Sequence, residues 1–166
     1  TQLTELNLSY NQLTDLPDSL GALAALTRLT SLNLSNNQLT TLPPSLAQAQ
    51  LAQLTELNLS NNQLTVLSDS LGQLTQLTSL DLSGNQLTAL PDSLGQLTQL
   101  QTLIFRDNFK LVKLPESIGQ LRQLRSINSG GCKFTELPTS FRNLENLQQL
   151  VMDVQGFEAL PEFIGE

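Results

Sequence analysis

The chain carries a short leucine pattern, LxxLxLxxN, in which apolar and polar positions alternate over about five residues. In its first copy Leu6 and Leu8 are apolar, and Glu5, Asn7 and Ser9 occupy the alternate polar positions. Because successive side chains of a strand point to opposite faces, this pattern predicts a short strand with one buried and one exposed face.

The leucine pattern recurs at a nearly constant interval. The segment TELNLSYNQLT of residues 4–14 returns as TELNLSNNQLT at residues 55–65. The intervals between central apolar positions are 26, 25, 23, 23, 24 and 23 residues, which is typical of stacked units that bury their apolar faces against each other. We therefore predict one domain, 1–166, of seven units with parallel strands. The predicted strand centres are Leu6, Leu32, Leu57, Leu80, Leu103, Ile127 and Leu150.

An asparagine follows each of the first five predicted strands at the same place. A side-chain amide both donates to and accepts from backbone groups left open at a turn, so we interpret this column as a structural ladder and not as a binding site. We interpret Cys132, which takes the position in unit six, as a buried structural thiol. The ladder residues are Asn11, Asn37, Asn62, Asn85, Asn108, Cys132 and Gln155.

The second half of most units opens with proline and an acidic residue, which suit the start of a short helix. In unit four the spacing of Leu94, Leu97 and Leu100 predicts that all three face one side of that helix. Units one and two are longer here, with the Ala-rich segments GALAALTRL and AQAQLAQL. We expect these insertions to enlarge the helical side.

The full unit, LxxLxLxxNxLxxLPxSLGxLxxL, resembles the leucine-rich repeat family over essentially the whole chain. The resemblance implies an α/β solenoid, an arc with a parallel β-sheet on the concave face and short helices or turns on the convex face. The convex half is similar to intracellular repeats of bacterial Roco-type GTPases, bacterial effectors, plant resistance receptors and animal Ras-pathway scaffolds. The resemblance to the family also implies that the concave sheet binds another polypeptide.

Composition narrows the range of functions. Forty of the 166 residues are leucine, histidine is absent, cysteine occurs once and the formal net charge is −7. With no glycine-rich phosphate loop and no metal-ligand spacing, the sequence predicts no catalytic residue, no metal and no cofactor. No apolar run is long enough to cross a bilayer, and the chain opens without a secretory leader. We expect a soluble protein of the cytoplasm, or of a host cytoplasm if it is an effector.

The later units depart from the earlier near-copies. All six phenylalanines lie after residue 100. Residues 1–100 contain seven acidic residues and one basic residue, residues 101–142 contain three and seven, and residues 143–166 contain five and none. Because shared positions are committed to the scaffold, we expect specificity where exposed positions differ.

Two strand columns carry this departure on the predicted concave face. The position after the central residue is Asn or Asp except at Ile104 and Val151, and the next exposed position is Ser only in the first four units. Adjacent rows about 5 Å apart would form a mixed apolar and charged patch of the kind that contacts a protein or peptide. Drift on an unused surface is the alternative. The candidate contact residues are Ile104, Arg106, Asp107, Asn128, Gly130, Val151 and Asp153.

Two local irregularities remain. Unit five has one additional residue in NFKLVKLP, so Phe109 and Lys110 form either a contact point at the rim or a turn variant in which Phe109 packs on its neighbour. Unit six has Ser129 where other units have an inward leucine. We expect Phe105 of the preceding unit to fill that space.

The sequence thus predicts a non-catalytic protein-interaction module. The alternative is the partner-selecting repeat region of a larger bacterial effector or Roco-type signalling enzyme, whose catalytic domain is not in this chain. Neither end shows a cap, which predicts a fragment of a longer protein and leaves end-to-end or edge self-association open. The seven basic residues of 101–142 fall on different parts of the units, so we predict no nucleic-acid partner. No membrane partner is predicted either.

Overall fold

Seven short strands form one parallel sheet in chain order in the computed structural model, which describes residues 2–16, 27–43, 46, 51–153 and 156–157. This confirms the prediction of stacked parallel strands. The strands are β1 (Glu5–Asn7), β2 (Ser31–Asn33), β3 (Glu56–Asn58), β4 (Ser79–Asp81), β5 (Thr102–Ile104), β6 (Ser126–Ser129) and β7 (Gln149–Met152).

The strands pair without a register shift, so each central residue lies opposite the next. Leu57 of β3 pairs with Leu32 on one side and with Leu80 on the other. These three side chains are at most 2% exposed, because a neighbouring unit covers each of them on both sides. Leu6 and Leu150, in the outermost strands of the sheet, are only partly buried. The core is therefore a stack of leucine rungs between the two halves of each unit.

Short 3₁₀ helices form the opposite side of units three to six. In unit four the helix ends at Gln96, so the prediction that Leu94, Leu97 and Leu100 share one helix is wrong in its extent. Successive N–H groups of these three leucines each bond three residues back, and the three-residue period keeps all three fully buried on one side. The helices are η1 (Asp69–Gln73), η2 (Asp92–Gln96), η3 (Glu116–Gln120) and η4 (Thr139–Asn143).

A glycine in each of η1, η2 and η3 brings the neighbouring unit into close contact. A Cβ atom added to Gly95 would lie 2.7 Å from the carbonyl oxygen of Ser117 and 2.8 Å from its Cβ atom. Gly72 and Gly119 meet the serine of the following helix in the same way. In η4 the corresponding residue is Arg142. Glycine therefore sets the spacing of the units on the convex side.

Two phenylalanine rings fill the core beside the small residue of β6. Phe105 and Phe134 are at most 1% exposed, and their ring centroids lie 6.2 Å apart in an edge-to-face arrangement. Ser129 is buried, and its hydroxyl donates to the carbonyl oxygen of Val151 at 3.1 Å. The sequence interpretation named Phe105 alone. Phe134, which replaces the Leu111 of unit five, supplies further volume in unit six.

Several sequence predictions fall outside the described residues. They are the expected enlargement by the Ala-rich segments of units one and two, the helix expected in unit seven and the ladder role of Gln155.

Candidate functional site

From Asn37 to Asn108 the asparagine column lies inside the molecule and bonds one unit to the next, whereas Asn11 of the first unit is exposed and donates to the carbonyl oxygens of Leu8 and Ser9 in its own unit. Asn85 is 5% exposed, and its Nδ2 atom donates to the carbonyl oxygens of Leu59 and Leu82, both at 3.0 Å. Its Oδ1 atom accepts the backbone N–H of Leu64 at 3.0 Å. These bonds satisfy backbone groups of the scaffold, so the column presents little to a ligand. Equivalent bonds are made by Asn37, Asn62 and Asn108.

Cys132 occupies the ladder position in unit six. The side chain is 3% exposed, and its thiol donates to the carbonyl oxygen of Phe105 at 3.4 Å. Burial raises the pKa of the Cys132 thiol to about 11; the charges of Asp107 and Asp153 act in the same direction, and a backbone hydrogen bond from Asn108 opposes them. The thiol is therefore protonated and unreactive at neutral pH, although Lys133 follows it in the chain.

The polar residue after each central position is a turn former. Asn7, Asn33, Asn58 and Asp81 accept, through a side-chain oxygen, the backbone N–H two residues ahead at 2.9–3.0 Å. Asn128 accepts the N–H of Gly130 in the same way at 3.2 Å. Its oxygen is therefore engaged by the scaffold as in the uniform units. Ile104 and Val151 have no side-chain acceptor, so units five and seven lack this turn.

The serine column of the early units is not exposed, which corrects the prediction for that position. Ser35, Ser60 and Ser83 are 4–7% exposed. The residue after each of these serines turns back in the left-handed region, at Asn36, Asn61 and Gly84. The small hydroxyl side chains are thereby enclosed between this turn and the adjacent strands.

Arg106, in the same column of unit five, extends into solvent. Its side chain is 60% exposed, and its Nε atom lies 3.9 Å from Oδ2 of Asp107, at the limit of an ion pair. Asp107 has φ of 59° and therefore occupies the left-handed turn position. Ile104, two residues earlier, is partly exposed on the same face. Unit five thus presents an aliphatic and a cationic side chain where earlier units present a turn-forming amide and a buried hydroxyl.

The candidate residues of units six and seven are partly used by the backbone. The N–H of Gly131 donates to Oδ2 of Asp153 at 2.6 Å, in place of the carbonyl acceptor found in earlier units. Gly130 has no side chain, and the nearest atom to a Cβ added there would be Oδ1 of Asn128 at 3.6 Å. Val151 is 41% exposed.

The strand register places Ile104, Asn128 and Val151 on one face of the sheet, but the two aliphatic side chains are not adjacent. Ile104 pairs with Asn128, which in turn pairs with Val151, so the two aliphatic side chains are two strands apart. At the usual strand spacing this separation is about 10 Å. We define the concave patch as Ile104, Arg106, Asn128, Gly130 and Val151. Gly130 carries no side chain, so it leaves space between the side chains of units five and seven.

The loop after the ladder of unit five exposes apolar side chains as well. Phe109 is 60% exposed, so the alternative in which it packs on its neighbour is wrong, whereas the turn variant itself is present. Val112 is 46% exposed and was not singled out from the sequence. The sequence does carry a signal of this exposed apolar side chain, because the same position in units three, four and six holds Thr65, Thr88 and Thr135.

In the part of the chain that the structure describes, no group of three or more His, Cys, Asp or Glu side chains is placed to hold a metal ion. The helices within the same ranges are all too short or too polar to cross a membrane.

The family of the chain follows from sequence comparison. A family model described as "Leucine rich repeat" matches residues 27–87 and 75–134, and one described as "Leucine Rich repeats (2 copies)" matches residues 1–48. The chain belongs to the leucine-rich repeat family, whose members are generally interaction scaffolds and not enzymes. No curated protein matches the chain.

Solved structures share both the fold and part of the sequence. A leucine-rich repeat protein of Leptospira interrogans is 32% identical over 98% of this chain, with a TM-score of 0.72. The functional domain of InlJ from Listeria monocytogenes, which includes a cysteine ladder, is 32% identical over 91%, with a TM-score of 0.74. The plant peptide hormone receptor RGFR1, solved in complex with RGF2, is 32% identical over 90%, with a TM-score of 0.77. This chain spans 46%, 30% and 24% of those chains, respectively.

Proposed function

We propose that this chain is a non-catalytic interaction module that binds a protein or peptide through its concave sheet, with specificity in units five to seven. The observation that carries the proposal is the change at the strand column of Asn7 and its equivalents. In the uniform units these side chains are occupied by turn hydrogen bonds. In units five and seven this position is taken by Ile104 and Val151, whose side chains make no turn hydrogen bond, and the side chain of Arg106 extends beside Ile104.

The chemistry of the concave patch fits a polypeptide ligand. Two separated aliphatic side chains offer apolar contacts, and the guanidinium of Arg106 offers up to five N–H donors for a carboxylate or a backbone carbonyl. Apolar contact combined with a few directed polar groups is the usual composition of a protein interface. The plant peptide hormone receptor RGFR1, which was solved in complex with RGF2, supports the proposal of a polypeptide ligand.

A nucleic-acid ligand is less well supported by the placement of the basic residues. Arg106 lies at the end of a strand, Lys110 and Lys133 follow the ladder, and Arg122 and Arg142 lie on the 3₁₀ side. Phosphate binding along a duplex needs such side chains on one continuous surface. A strong, salt-dependent affinity of the chain for RNA or DNA would contradict our proposal.

A consensus-restoring variant tests the concave patch. A phage-displayed library of random peptides is selected on the intact chain, and binders are then measured on the variant Ile104→Asn, Arg106→Ser, Val151→Asn. This variant gives units five and seven the side chains that the uniform units already accommodate, so it is expected to fold. We expect selected peptides to lose binding to it, whereas Arg122→Ser, a change on the 3₁₀ side, leaves binding unaltered. Full retention by the triple variant would contradict a concave site in these units.

The larger-protein alternative is proposed alongside this function, because each of the three structures compared is more than twice the length matched by this chain. In that arrangement the repeats select the partner and another region acts on it. Expression of the chain with its natural flanking sequence, followed by activity assays with and without the triple variant, would separate partner selection from catalysis.

A further inference from the structure

The additional residue of unit five is accommodated by an outward turn. The N–H of Leu111 donates to the carbonyl oxygen of Asn108 at 2.9 Å, and this bond encloses Phe109 and Lys110 in the turn. Leu111 remains fully buried, as Leu39, Leu64 and Leu87 are in units two to four. The core is therefore unchanged, and the inserted length displaces Phe109 into solvent.

Two basic residues flank the turn that carries the exposed ring. Lys110 lies in the same turn, and both Phe109 and Lys110 are exposed. The backbone N–H of Lys133 in unit six donates to the carbonyl oxygen of Leu111 at 3.0 Å, which places Lys133 beside this turn. We define the unit-five rim as Phe109, Lys110, Val112 and Lys133. It combines two exposed apolar side chains with two ammonium groups.

Acidic residues are concentrated on other parts of the chain. On one side Lys113 is already paired, because its Nζ atom lies 3.1 Å from Oε1 of Glu136. On the 3₁₀ side Asp69, Asp92 and Glu116 line a depression of about 820 Å³. Units one to four and the segment 143–166 are also strongly acidic by sequence. A negatively charged ligand is therefore repelled by units one to four and by the segment 143–166, and Lys110 and Lys133 attract it to the rim.

We propose that the unit-five rim is a docking surface, separate from the concave patch, for an acidic segment of a partner protein that carries an aliphatic or aromatic side chain. Charge complementarity supports the acidic character, and the exposed ring of Phe109 with Val112 supports the apolar anchor. The rim residues belong to units five and six, which lie along the chain between the acidic units one to four and the acidic segment 143–166. A membrane surface would meet those acidic regions too, and it usually requires a cluster of four or more basic residues.

Synthetic peptides test the chemistry of the ligand. A fluorescein-labelled peptide of about ten residues, Glu and Asp interspersed with Leu and Ile, is titrated with the intact chain by fluorescence anisotropy, alongside one peptide with Lys for the acids and one with Ser for the apolar residues. We expect both altered peptides to bind at least about tenfold more weakly. Raising NaCl from about 50 mM to about 300 mM should weaken binding of the acidic peptide.

Variants of the chain test the location. Lys110→Glu with Lys133→Glu, and separately Phe109→Ser, should each lower the affinity by about tenfold or more. Val66→Thr is the matched control, because Val66 is 56% exposed on unit three, away from the basic segment. Thermal unfolding by circular dichroism verifies that each variant is folded, as expected for changes at exposed side chains. Unchanged affinity in both rim variants, or equal binding of the Lys peptide, would overturn the proposal.

Other occupants give distinguishable results. Sedimentation velocity over a concentration series detects a second copy of this chain on the rim, and flotation with vesicles containing phosphatidylserine detects a membrane. If either association is lost in Lys110→Glu, Lys133→Glu and the acidic peptide does not bind, the proposed occupant is wrong. Loss of the acidic peptide in Ile104→Asn would place it on the concave patch and also overturn the rim proposal, without affecting the proposed concave function.

Discussion

Replacing Gly95 by alanine should destabilise the protein, although alanine usually favours helical structure. The added Cβ atom would lie 2.7 Å from the carbonyl oxygen of Ser117, a backbone atom of the next unit, and 2.6 Å from Oε1 of Gln120. The Gln120 amide can rotate away, whereas the Ser117 carbonyl moves only if units four and five separate. The backbone contact therefore decides the effect.

The expected loss follows from two opposing effects. Gly→Ala in a helix interior stabilises by about 1 kcal/mol through conformational preference. Inserting a methyl group into a closely packed contact costs about 1–3 kcal/mol. Because a contact below 3 Å with backbone lies at the upper end of that range, we expect the free energy of unfolding to fall by about 1–2 kcal/mol. In a chain of this size the melting temperature should then fall by roughly 2–8 °C.

Urea unfolding followed by circular dichroism measures this change, and two further variants interpret it. Gly130→Ala is the matched control, because the nearest atom to its added Cβ is at 3.6 Å. It should be neutral or stabilise by up to about 1 kcal/mol. Ser117→Gly in the Gly95→Ala background removes the Cβ contact but keeps the carbonyl contact, so partial recovery is expected. A Gly95→Ala variant as stable as the wild type would refute the view that glycine sets the spacing of the units.

Three further predictions concern side chains inside or between units. Asn85→Ala should lower the free energy of unfolding by about 2–4 kcal/mol, because it leaves buried backbone groups unpaired. The control Asn11→Ala changes an exposed side chain and should cost under about 1 kcal/mol. Urea unfolding measures both variants, and equal losses would contradict the ladder role. Cys132, whose pKa is raised to about 11, should react with iodoacetamide at pH 8 far more slowly in the native chain than in urea, and rapid native alkylation would contradict its burial. The free energy of unfolding should also fall as the pH rises from about 9 to about 11, because only the thiol of the unfolded chain ionises in that range. The carboxylate of Glu116 caps the start of η4, because it accepts the backbone N–H groups of Thr139 and Ser140 at 3.1 and 3.0 Å. Hydrogen bonds from Ser140 and Thr139 hold the pKa of Glu116 below its usual value, so its stabilisation is present above the unfolded pKa and is lost as the pH falls. The melting temperature should therefore drop less between pH 5 and pH 3 in Glu116→Gln than in the wild type, and identical profiles would refute this cap.

The leucine spacing was sufficient to predict the parallel sheet, because one-residue alternation fixes which face of a strand is buried. Leu57 and its equivalents pair as that alternation requires. The kind of helix was not predicted, although Leu94, Leu97 and Leu100 recur at intervals of three, which matches a 3₁₀ period better than an α-helical one. This three-residue interval is the sequence signal of the 3₁₀ form.

The candidate site was predicted less completely, because alternation gives the face of a side chain and not its depth. Ser35, Ser60 and Ser83 are on the predicted face, yet the left-handed turn after them closes over their small side chains. Asn128 also lies there, but its oxygen is used by the turn. The exposure of Phe109 depends on which way one additional residue bulges, and this is decided by a backbone hydrogen bond that no local pattern encodes.

The glycine contacts between the 3₁₀ helices make units three, four and five interchangeable at their joints. Each joint of this kind places a glycine against a serine of the next unit, so a duplicated 23-residue segment inserted among them would meet surfaces that already fit. Arg142 stands at the glycine position of unit six, and a duplicate cannot be joined behind it by the same contact. Growth of the array by gene duplication is thus easiest at units three and four, which carry none of the candidate contact residues, so the length of the array can change while the partner-facing units stay as they are.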